Sequence, residues 1–247
     1  MAKLPRNAEA RSARIDLLYN LGYLYWAMGD AGKALQQLKA GLDLAPEPRA
    51  GPIRSSLLNG LAIISYEAKQ YEQAVNLYRE AMQESPQDAL LTINLSATCC
   101  ALGRNQEAIE LGKRAAKLHE RDARVWNTLG HIYAAVGRYD DAISCFSKAA
   151  ELGPRIAAYP SALAICYDLV ERQDETHRQL EIARRLARDS AIIYVDIYET
   201  ALYGNSAKSL ELARQAIGAR TLSAIDLRRD PNLSLLLDSV QIEQMTV

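Results

Sequence analysis

The sequence predicts an all-α fold, an α-solenoid built from stacked pairs of helices. Three observations predict it. The chain of 247 residues is similar to itself at an interval of 34 residues, which is the signature of a repeat architecture. Each copy contains two runs with apolar residues at three- and four-residue spacing, which is typical of amphipathic helices. A short turn separates the two runs, and in several copies it contains glycine, which closes a helix in the left-handed conformation.

The repeat is clearest in residues 123–156. Trp126, Gly130 and Tyr133 lie in the first helix of this copy, and Ala142 begins the apolar face of the second. The small residues predict a close crossing of the two helices, because a large side chain there would overpack by about 1–3 kcal/mol. The register holds without gaps from residue 55 onward, and the five predicted repeats are 15–48, 55–88, 89–122, 123–156 and 157–190.

The N-terminal part departs from this regular spacing in two places. Residues 1–14 are predicted to extend the first helix of the first repeat. Six residues, 49–54, are inserted between the first and second repeats. They are predicted to form a loop, because proline and glycine in and before the insertion mark a break between helices.

The C-terminal part departs from the repeat pattern as well. Residues 191–218 are predicted to form a degenerate sixth repeat, in which Tyr198 replaces the small residue of the first helix. Residues 219–247 are predicted to form a C-terminal cap with a capping helix. Asp230 is the expected N-cap of this helix and Pro231 its first residue. Such a cap is needed because the last repeat cannot bury its own apolar face.

The pattern of Trp126, Gly130, Tyr133 and Ala142 resembles that of the tetratricopeptide repeat family. The resemblance covers about residues 15–190. It implies a right-handed α-solenoid, in which the first helices of successive repeats line a concave groove. It also implies a noncatalytic scaffold, an adaptor or chaperone-like holder, that binds a protein or peptide partner in this groove.

The resemblance further implies which side chains face the groove, since the same repeat positions point into it each time. In the fifth repeat these positions include Ser161 and Ile165. The N-terminal part of the groove is aromatic and apolar and can bury an apolar anchor, whereas amides in the centre can pair with a peptide backbone. The implied partner-binding residues are Tyr19, Tyr23, Trp26, Asn59, Ile63, Tyr66, Ile93, Asn94, Arg124, Asn127 and His131.

The composition and motifs argue against several other classes of function. The net charge is −1, with 29 Lys and Arg against 30 Asp and Glu, so no overall basic field would bind nucleic acid. His119 and Glu120 begin a zinc-binding helix pattern, but Ala123 stands where the second histidine is required. No histidine has a nucleophile and an orienting acid beside it in sequence. We therefore expect no catalytic residue, metal site or cofactor, and we do not expect an enzyme.

The cysteines and the hydropathy bear on the location of the protein. The four cysteines have neither the spacing of a disulfide framework nor that of a zinc site, which favours a reducing compartment. No apolar stretch has the length of a secretory signal or of a membrane span. The sequence therefore predicts a cytoplasmic protein.

Two alternatives to peptide capture stay open at this point. The chain could be a regulatory or substrate-recruiting subunit of an enzyme supplied by another chain. It could also be a self-assembling structural protein, in which the Tyr- and Trp-rich end accepts the C-terminal helix of another copy. In either case exposure of these aromatic residues in the groove is favoured over packing beneath the N-terminal residues or an adjacent copy. Acidic C-termini are not the expected ligand, because only Asn94 matches the family's carboxylate clamp outright and Arg124 is a substitute of the same charge.

Overall fold

The computed structural model describes residues 6–45, 52–188, 190–219 and 221–246. In these residues the chain forms fifteen α-helices and no strand. The helices are α1 (Arg6–Ala27), α2 (Ala31–Leu44), α3 (Pro52–Glu67), α4 (Tyr71–Glu84), α5 (Ala89–Ala101), α6 (Asn105–Leu118), α7 (Ala123–Ala135), α8 (Tyr139–Leu152), α9 (Ala158–Leu169), α10 (Gln173–Leu186), α11 (Ser190–Leu202), α12 (Ser206–Gly218), α13 (Ala224–Arg229), α14 (Leu233–Leu236) and α15 (Ser239–Met245).

The helices pack in pairs, and the pairs belong to two compact units. The first unit spans residues 1–118 and the second residues 119–247. From α1 and α2 to α11 and α12, the two helices of each pair are joined by a short turn and pack against each other. Within the first unit α2 packs on α3 and α4 on α5, and within the second α8 packs on α9 and α10 on α11. This stacking of helix pairs in chain order confirms the predicted all-α solenoid class.

A left-handed residue in the turn between paired helices recurs in all six pairs. A glycine adopts this conformation without a steric penalty, whereas a residue with a Cβ atom loses about 1–2 kcal/mol. From the second pair to the fifth, these residues follow one another at the 34-residue interval, and the fifth is Glu171. The same interval would place the sixth at residue 205, but it lies at 204, so the sixth turn comes one residue early. The six residues are Gly29, Lys69, Gly103, Gly137, Glu171 and Gly204, with φ between 59° and 80°.

The crossing of α7 and α8 explains the small residue in the repeat pattern. A Cβ atom at Gly130 would lie 2.6 Å from Cε1 of Phe146, which is closer than non-bonded carbon atoms approach. Phe146 is fully buried, and the ring of His131 meets it edge-on at a centroid distance of 4.9 Å. The pair therefore closes around one aromatic ring that fills the space left by the glycine.

The second repeat begins earlier than the sequence predicted. Of the six inserted residues, 49–51 lie outside the described residues, whereas Pro52 opens α3. The prediction of a loop through residue 54 is therefore wrong for residues 52–54, which form the first helical turn. The reason is that the fixed φ of proline and its missing N–H suit the first position of a helix.

Arg54 in this first turn ties three helices together. Its side chain is buried, and its Nη1 donates to the carbonyl of Ala45 at the end of α2 over 3.2 Å. Its Nη2 pairs with Glu80 of α4 at 2.5 Å, and its Nε lies 3.7 Å from Oε1 of Glu84. The chain on both sides of residues 46–51 is thus anchored to the same guanidinium group.

The C-terminal cap consists of three short helices, α13 to α15, where the sequence predicted one capping helix. They share a hydrophobic core with α11 and α12, in which Leu233 and Met245 are fully buried. The predicted N-cap is wrong, because Asn232 is the N-cap of α14 and Asp230 ends α13; Oδ1 of Asp230 nevertheless accepts hydrogen bonds from the backbone N–H groups of Asn232 and Leu233 at 2.8 and 3.0 Å. The helix that follows begins at Leu233 and not at Pro231, and it is only four residues long.

Tyr198, which departs from the repeat pattern, belongs to this cap. Its hydroxyl group donates to Oδ2 of Asp230 at 2.6 Å. Burial raises the pKa of the Asp230 carboxyl and raises the pKa of the Tyr198 hydroxyl well above its usual value. The large side chain therefore replaces the small residue where the last pair contacts the cap.

Candidate functional site

In the first unit, predicted groove residues of α1 and α3 surround a small apolar cavity of about 60 Å³. We call the surface formed by Tyr19, Tyr23, Trp26, Asn59 and Ile63 the α1–α3 surface. The structure brings these predicted residues together around one opening. The cavity is lined by Tyr19, Gly22, Tyr23, Trp26, Leu38, Asn59, Gly60 and Ile63.

The aromatic wall of the α1–α3 surface is held in a fixed orientation. Nε1 of Trp26 lies 3.0 Å from both carboxylate oxygens of Glu67, to which it donates. The ring of Tyr23 lies at a centroid distance of 5.4 Å from that of Trp26, and 58 % of the Tyr23 side chain is exposed. An exposed aromatic side chain next to an anchored indole offers contact area at low entropic cost, since neither ring has many rotamers to lose.

The floor of the cavity depends on two glycines that the sequence analysis did not assign to the site. A Cβ atom at Gly22 would lie 2.7 Å from Leu38, and a Cβ atom at Gly60 would lie 2.9 Å from Cδ1 of the same side chain. Leu38 of α2 therefore forms the floor between α1 and α3. Gly60 could have been noticed in the sequence, because the equivalent positions of the other four regular repeats carry side chains, namely Asn20, Asn94, Thr128 and Ala162.

The two predicted amides of the first unit contact each other. Nδ2 of Asn94 donates to Oδ1 of Asn59 at 3.2 Å. This hydrogen bond does not use the amide N–H groups of Asn59 or the amide oxygen of Asn94. The pair lies next to the cavity, since Asn59 also lines it.

The other two predicted residues of the first unit differ in exposure. Tyr66 is 37 % exposed, and its ring lies 5.3 Å from that of Tyr71. Ile93 is only 3 % exposed, so the prediction that it faces an open groove is wrong. Helix α5 is apolar on nearly every side, and the helical period alone therefore does not separate its groove-facing residues from its core.

In the second unit, the three remaining predicted residues lie on α7. The guanidinium group of Arg124 pairs with Asp122, the N-cap residue of the same helix, at 2.7 Å and holds the pKa of that carboxyl below its usual value. Asn127 is half-buried. Nδ1 of His131 is buried without a hydrogen-bond partner among the described residues, and burial lowers its pKa to about 4. His131 is therefore neutral at physiological pH.

Two of the predicted groove positions of the fifth repeat are closed. Ser161 and Ile165, which the family pattern placed on the groove wall, are 1 % and 0 % exposed. They belong to eight consecutive buried residues, Tyr159 to Cys166, so this part of α9 is covered on all sides, whereas Leu169 at its end is 41 % exposed. Part of this cover is the chain's own C-terminal segment, because Nδ2 of Asn232 donates to the carbonyl of Ala158 at 3.2 Å.

The cysteine side chains are arranged as inert thiols. Burial raises the pKa of Cys99 to about 11 and those of Cys145 and Cys166 to about 12. Burial also raises the pKa of Cys100, which is half-buried. Since the thiolate is the reactive form, these thiols are poor nucleophiles at neutral pH.

We expect Cys99, Cys145 and Cys166 of the native protein to react with iodoacetamide at pH 8 at least about a hundredfold more slowly than in urea. The thiolate fraction falls tenfold for each unit by which the pKa rises, and burial adds a steric barrier. Mass spectrometry of timed samples measures the rates. Equal rates in the native and unfolded protein would contradict the buried placement.

Neither a metal cluster nor a membrane span is present in the part of the chain that the structure describes. No group of three or more His, Cys, Asp or Glu side chains in that part could hold a metal ion. None of the helices found there is both long enough and apolar enough to cross a bilayer.

Comparison with known families agrees with the helix pairs. Models of the tetratricopeptide repeat match residues 13–83, 65–127 and 123–155. These stretches overlap and together cover more than half of the chain. No curated protein shows a significant match to the sequence.

Solved structures share the fold at low sequence identity. A thermophilic tetratricopeptide repeat protein of Thermus thermophilus is 23 % identical with a TM-score of 0.65, over 76 % of this chain and 99 % of that one. MamA from Desulfovibrio magneticus, from residue 41 to its end, is 17 % identical with a TM-score of 0.56, over 70 % and 94 %. Another structure of MamA is 19 % identical with a TM-score of 0.54, over 67 % and 94 %. At these identities the likeness establishes the fold alone.

Proposed function

Because the chain is a tetratricopeptide repeat protein, we propose that it is a noncatalytic scaffold that binds a peptide segment of a partner protein on the α1–α3 surface. The observation that carries this proposal is the apolar cavity between α1 and α3, with the exposed Tyr23 at its rim. An apolar side chain of the partner would fill the cavity, and the aromatic ring would cover it. Such buried anchors supply most of the binding energy of an interface.

The Asn59–Asn94 pair supports a peptide as the ligand. With one hydrogen bond between the two amides, Asn59 retains N–H donors and Asn94 retains an acceptor oxygen. A peptide group carries one donor and one acceptor, which would otherwise stay unpaired when the segment is buried. The amide pair therefore complements a backbone beside a side-chain anchor.

The second unit offers less support for binding at its fifth repeat. Ser161 and Ile165 are buried there, and Asn232 of the C-terminal segment occupies a backbone acceptor of α9. We therefore place the peptide on the α1–α3 surface of the first unit alone, and Arg124, Asn127 and His131 of the second unit stay a separate prediction.

Self-assembly through a donated C-terminal helix is disfavoured by the packing of that helix. Met245 of α15 is fully buried in the core that the cap shares with α11 and α12. Arg214 of α12 also donates to the carbonyl of Gln244 at 2.8 Å. Donation of α15 to another copy would have to break these contacts first.

The test is a comparison of captured partners between wild type and Tyr23→Ala. We expect one partner to be lost, because truncating the aromatic side chain that covers the partner's anchor weakens binding by about 2 kcal/mol, or roughly thirtyfold. The measurement is quantitative mass spectrometry of proteins retained from a lysate, followed by titration of the purified partner. Circular dichroism checks that the variant stays folded.

Leu17→Ala is the matched control for this experiment. Leu17 is on the same helix and is 57 % exposed, but it does not line the cavity. The proposal requires that Leu17→Ala retains the partner that Tyr23→Ala loses. Identical partners for all three proteins would remove the α1–α3 surface from consideration.

A further inference from the structure

The cavity of the α1–α3 surface restricts which side chain can anchor a ligand. Its volume is about 60 Å³, whereas a dry apolar cavity that accepts benzene has about 150 Å³. The opening between α1 and α3 thus has room for the branched end of Leu, Ile or Val or for the thioether of Met. A phenyl or indole ring does not fit without moving the helices.

The walls of the cavity also select against a polar anchor. The floor is the apolar side chain of Leu38, reached between Gly22 and Gly60. The N–H group of Trp26 is already bonded to Glu67, so the indole offers its ring and not its donor. A hydroxyl or amide placed there would lose its hydrogen bonds to water without replacement.

The face of α1 that carries Tyr19 and Tyr23 also carries two carboxylates. Asp16 is exposed and lies three residues before Tyr19, so the two side chains share one face of α1. Glu9 is exposed on the same face, two turns earlier. Neither carboxylate has an ion-pair or hydrogen-bond partner among the described residues.

The described basic side chains of α1, α3 and α5 are directed elsewhere. Arg11 donates to the carbonyl of Leu44 at 2.7 Å and is thus turned toward α2. Arg14 is two residues from Asp16, which places it on the opposite side of α1. Arg54 is buried next to Glu80, and α5 has no charged residue. This face of α1 therefore attracts a cationic segment and repels an anionic one.

We infer that the α1–α3 surface binds a basic peptide segment with an aliphatic anchor, that is, Leu, Ile, Val or Met flanked by Lys or Arg. The inference rests on the proposed function and names the ligand of the same surface. The anchor enters the cavity beneath Tyr23, and the basic side chains lie toward Asp16. The Asn59–Asn94 pair holds the backbone between them.

Gly60 is the residue that sets the size of the anchor. A methyl group at this position would lie 2.9 Å from Cδ1 and 3.2 Å from Cδ2 of Leu38, and it would fill part of the cavity. Leu38 can shift the flexible end of its side chain, and alanine favours a helix over glycine. Gly60→Ala should therefore stay folded and lose the anchor site.

The experiment is a selection from a random 12-residue phage-displayed peptide library on the immobilised full-length chain. We expect the enriched peptides to combine an aliphatic residue with neighbouring Lys or Arg. Fluorescence polarisation then measures binding of one labelled consensus peptide. Replacing its aliphatic anchor with Ala should weaken binding at least about tenfold, and Gly60→Ala should weaken it at least about fivefold.

A second variant keeps the test decisive if Gly60→Ala melts below the wild type. Asp16→Lys changes only an exposed side chain, and it should weaken binding of the basic peptide about threefold to tenfold at low salt and less at high salt. Leu17→Ala is again the control and should bind normally.

The outcomes separate the ligand class from the function itself. Enrichment of acidic or aromatic peptides that still require Tyr23 would overturn the ligand class and leave peptide binding intact. Unchanged affinity in both Gly60→Ala and Asp16→Lys would also overturn the ligand class. No enrichment at all would contradict the proposed function and this inference together.

Discussion

Phe146→Ala is expected to lower the free energy of unfolding by about 3–5 kcal/mol, which is the usual cost of removing a fully buried phenylalanine. The ring has no exposed surface, and it fills the space opposite Gly130, where there is no side chain to collapse into the cavity. Urea denaturation followed by circular dichroism measures the loss. Because repeats can unfold separately, hydrogen exchange at the amides of α7 and α8 locates it.

Phe146→Leu is the matched variant for this prediction. It keeps most of the apolar volume, so the expected loss is smaller than for Ala. If Phe146→Ala and Phe146→Leu were equally stable, or if exchange rose in α11 and not in α7 and α8, the ring would not close the pair.

Replacing Glu80 and Glu84 together with Ala is expected to destabilise the first unit by about 2–3 kcal/mol. The two changes leave the guanidinium group of Arg54 buried without its carboxylates, and an uncompensated buried charge is costly. The loss is below that of a fully buried pair, because 42 % of the Glu80 side chain is exposed and solvent screens the interaction. Urea denaturation with hydrogen exchange in α3 and α4 measures it.

Two controls identify the buried charge as the cause. Glu107→Ala breaks the exposed Arg79–Glu107 pair, which has an N–O distance of 2.8 Å, and should cost less than about 1 kcal/mol. Adding Arg54→Met to the double variant removes the charge itself and should restore part of the stability. A triple variant less stable than the double one would show that Arg54 contributes mainly by its bond to Ala45.

Much of the fold follows from the sequence because each repeat carries its own local signals. Apolar spacing placed the helices, and the turn residues placed the break between them. Gly130 and Ala142 identified the crossing because the helices meet there at a distance that excludes larger side chains. These signals act over a few residues, so one sequence is enough to read them.

The parts that could not be predicted depend on contacts between distant segments. Residues 219–247 lack a repeat, and their three short helices are positioned by a shared core and by the bond from Tyr198 to Asp230. Pro52 is compatible with a loop and with the start of a helix. Only the burial of Arg54 against α2 and α4 decides between them.

Only part of the candidate site could be predicted, because the repeat period is a local signal whereas the cavity depends on contacts between helices. The repeat period placed Tyr19, Tyr23 and Trp26 on one face of α1, and the structure brings them to one cavity. The cavity itself depends on a missing side chain at Gly60 and on how α1 and α3 stack over Leu38. The period also failed for Ile93, whose helix is apolar on nearly every side.

The turn of the fifth pair has a consequence for laboratory evolution of this protein. Glu171 holds a positive φ of 59° at the position where four other pairs have glycine, so about 1 kcal/mol of backbone strain is removable there. Mutational libraries lose most members to instability, and a reserve of this size lets more of them survive. Glu171→Gly is thus a sensible starting background for diversifying α9 and α10, the two helices that this turn joins.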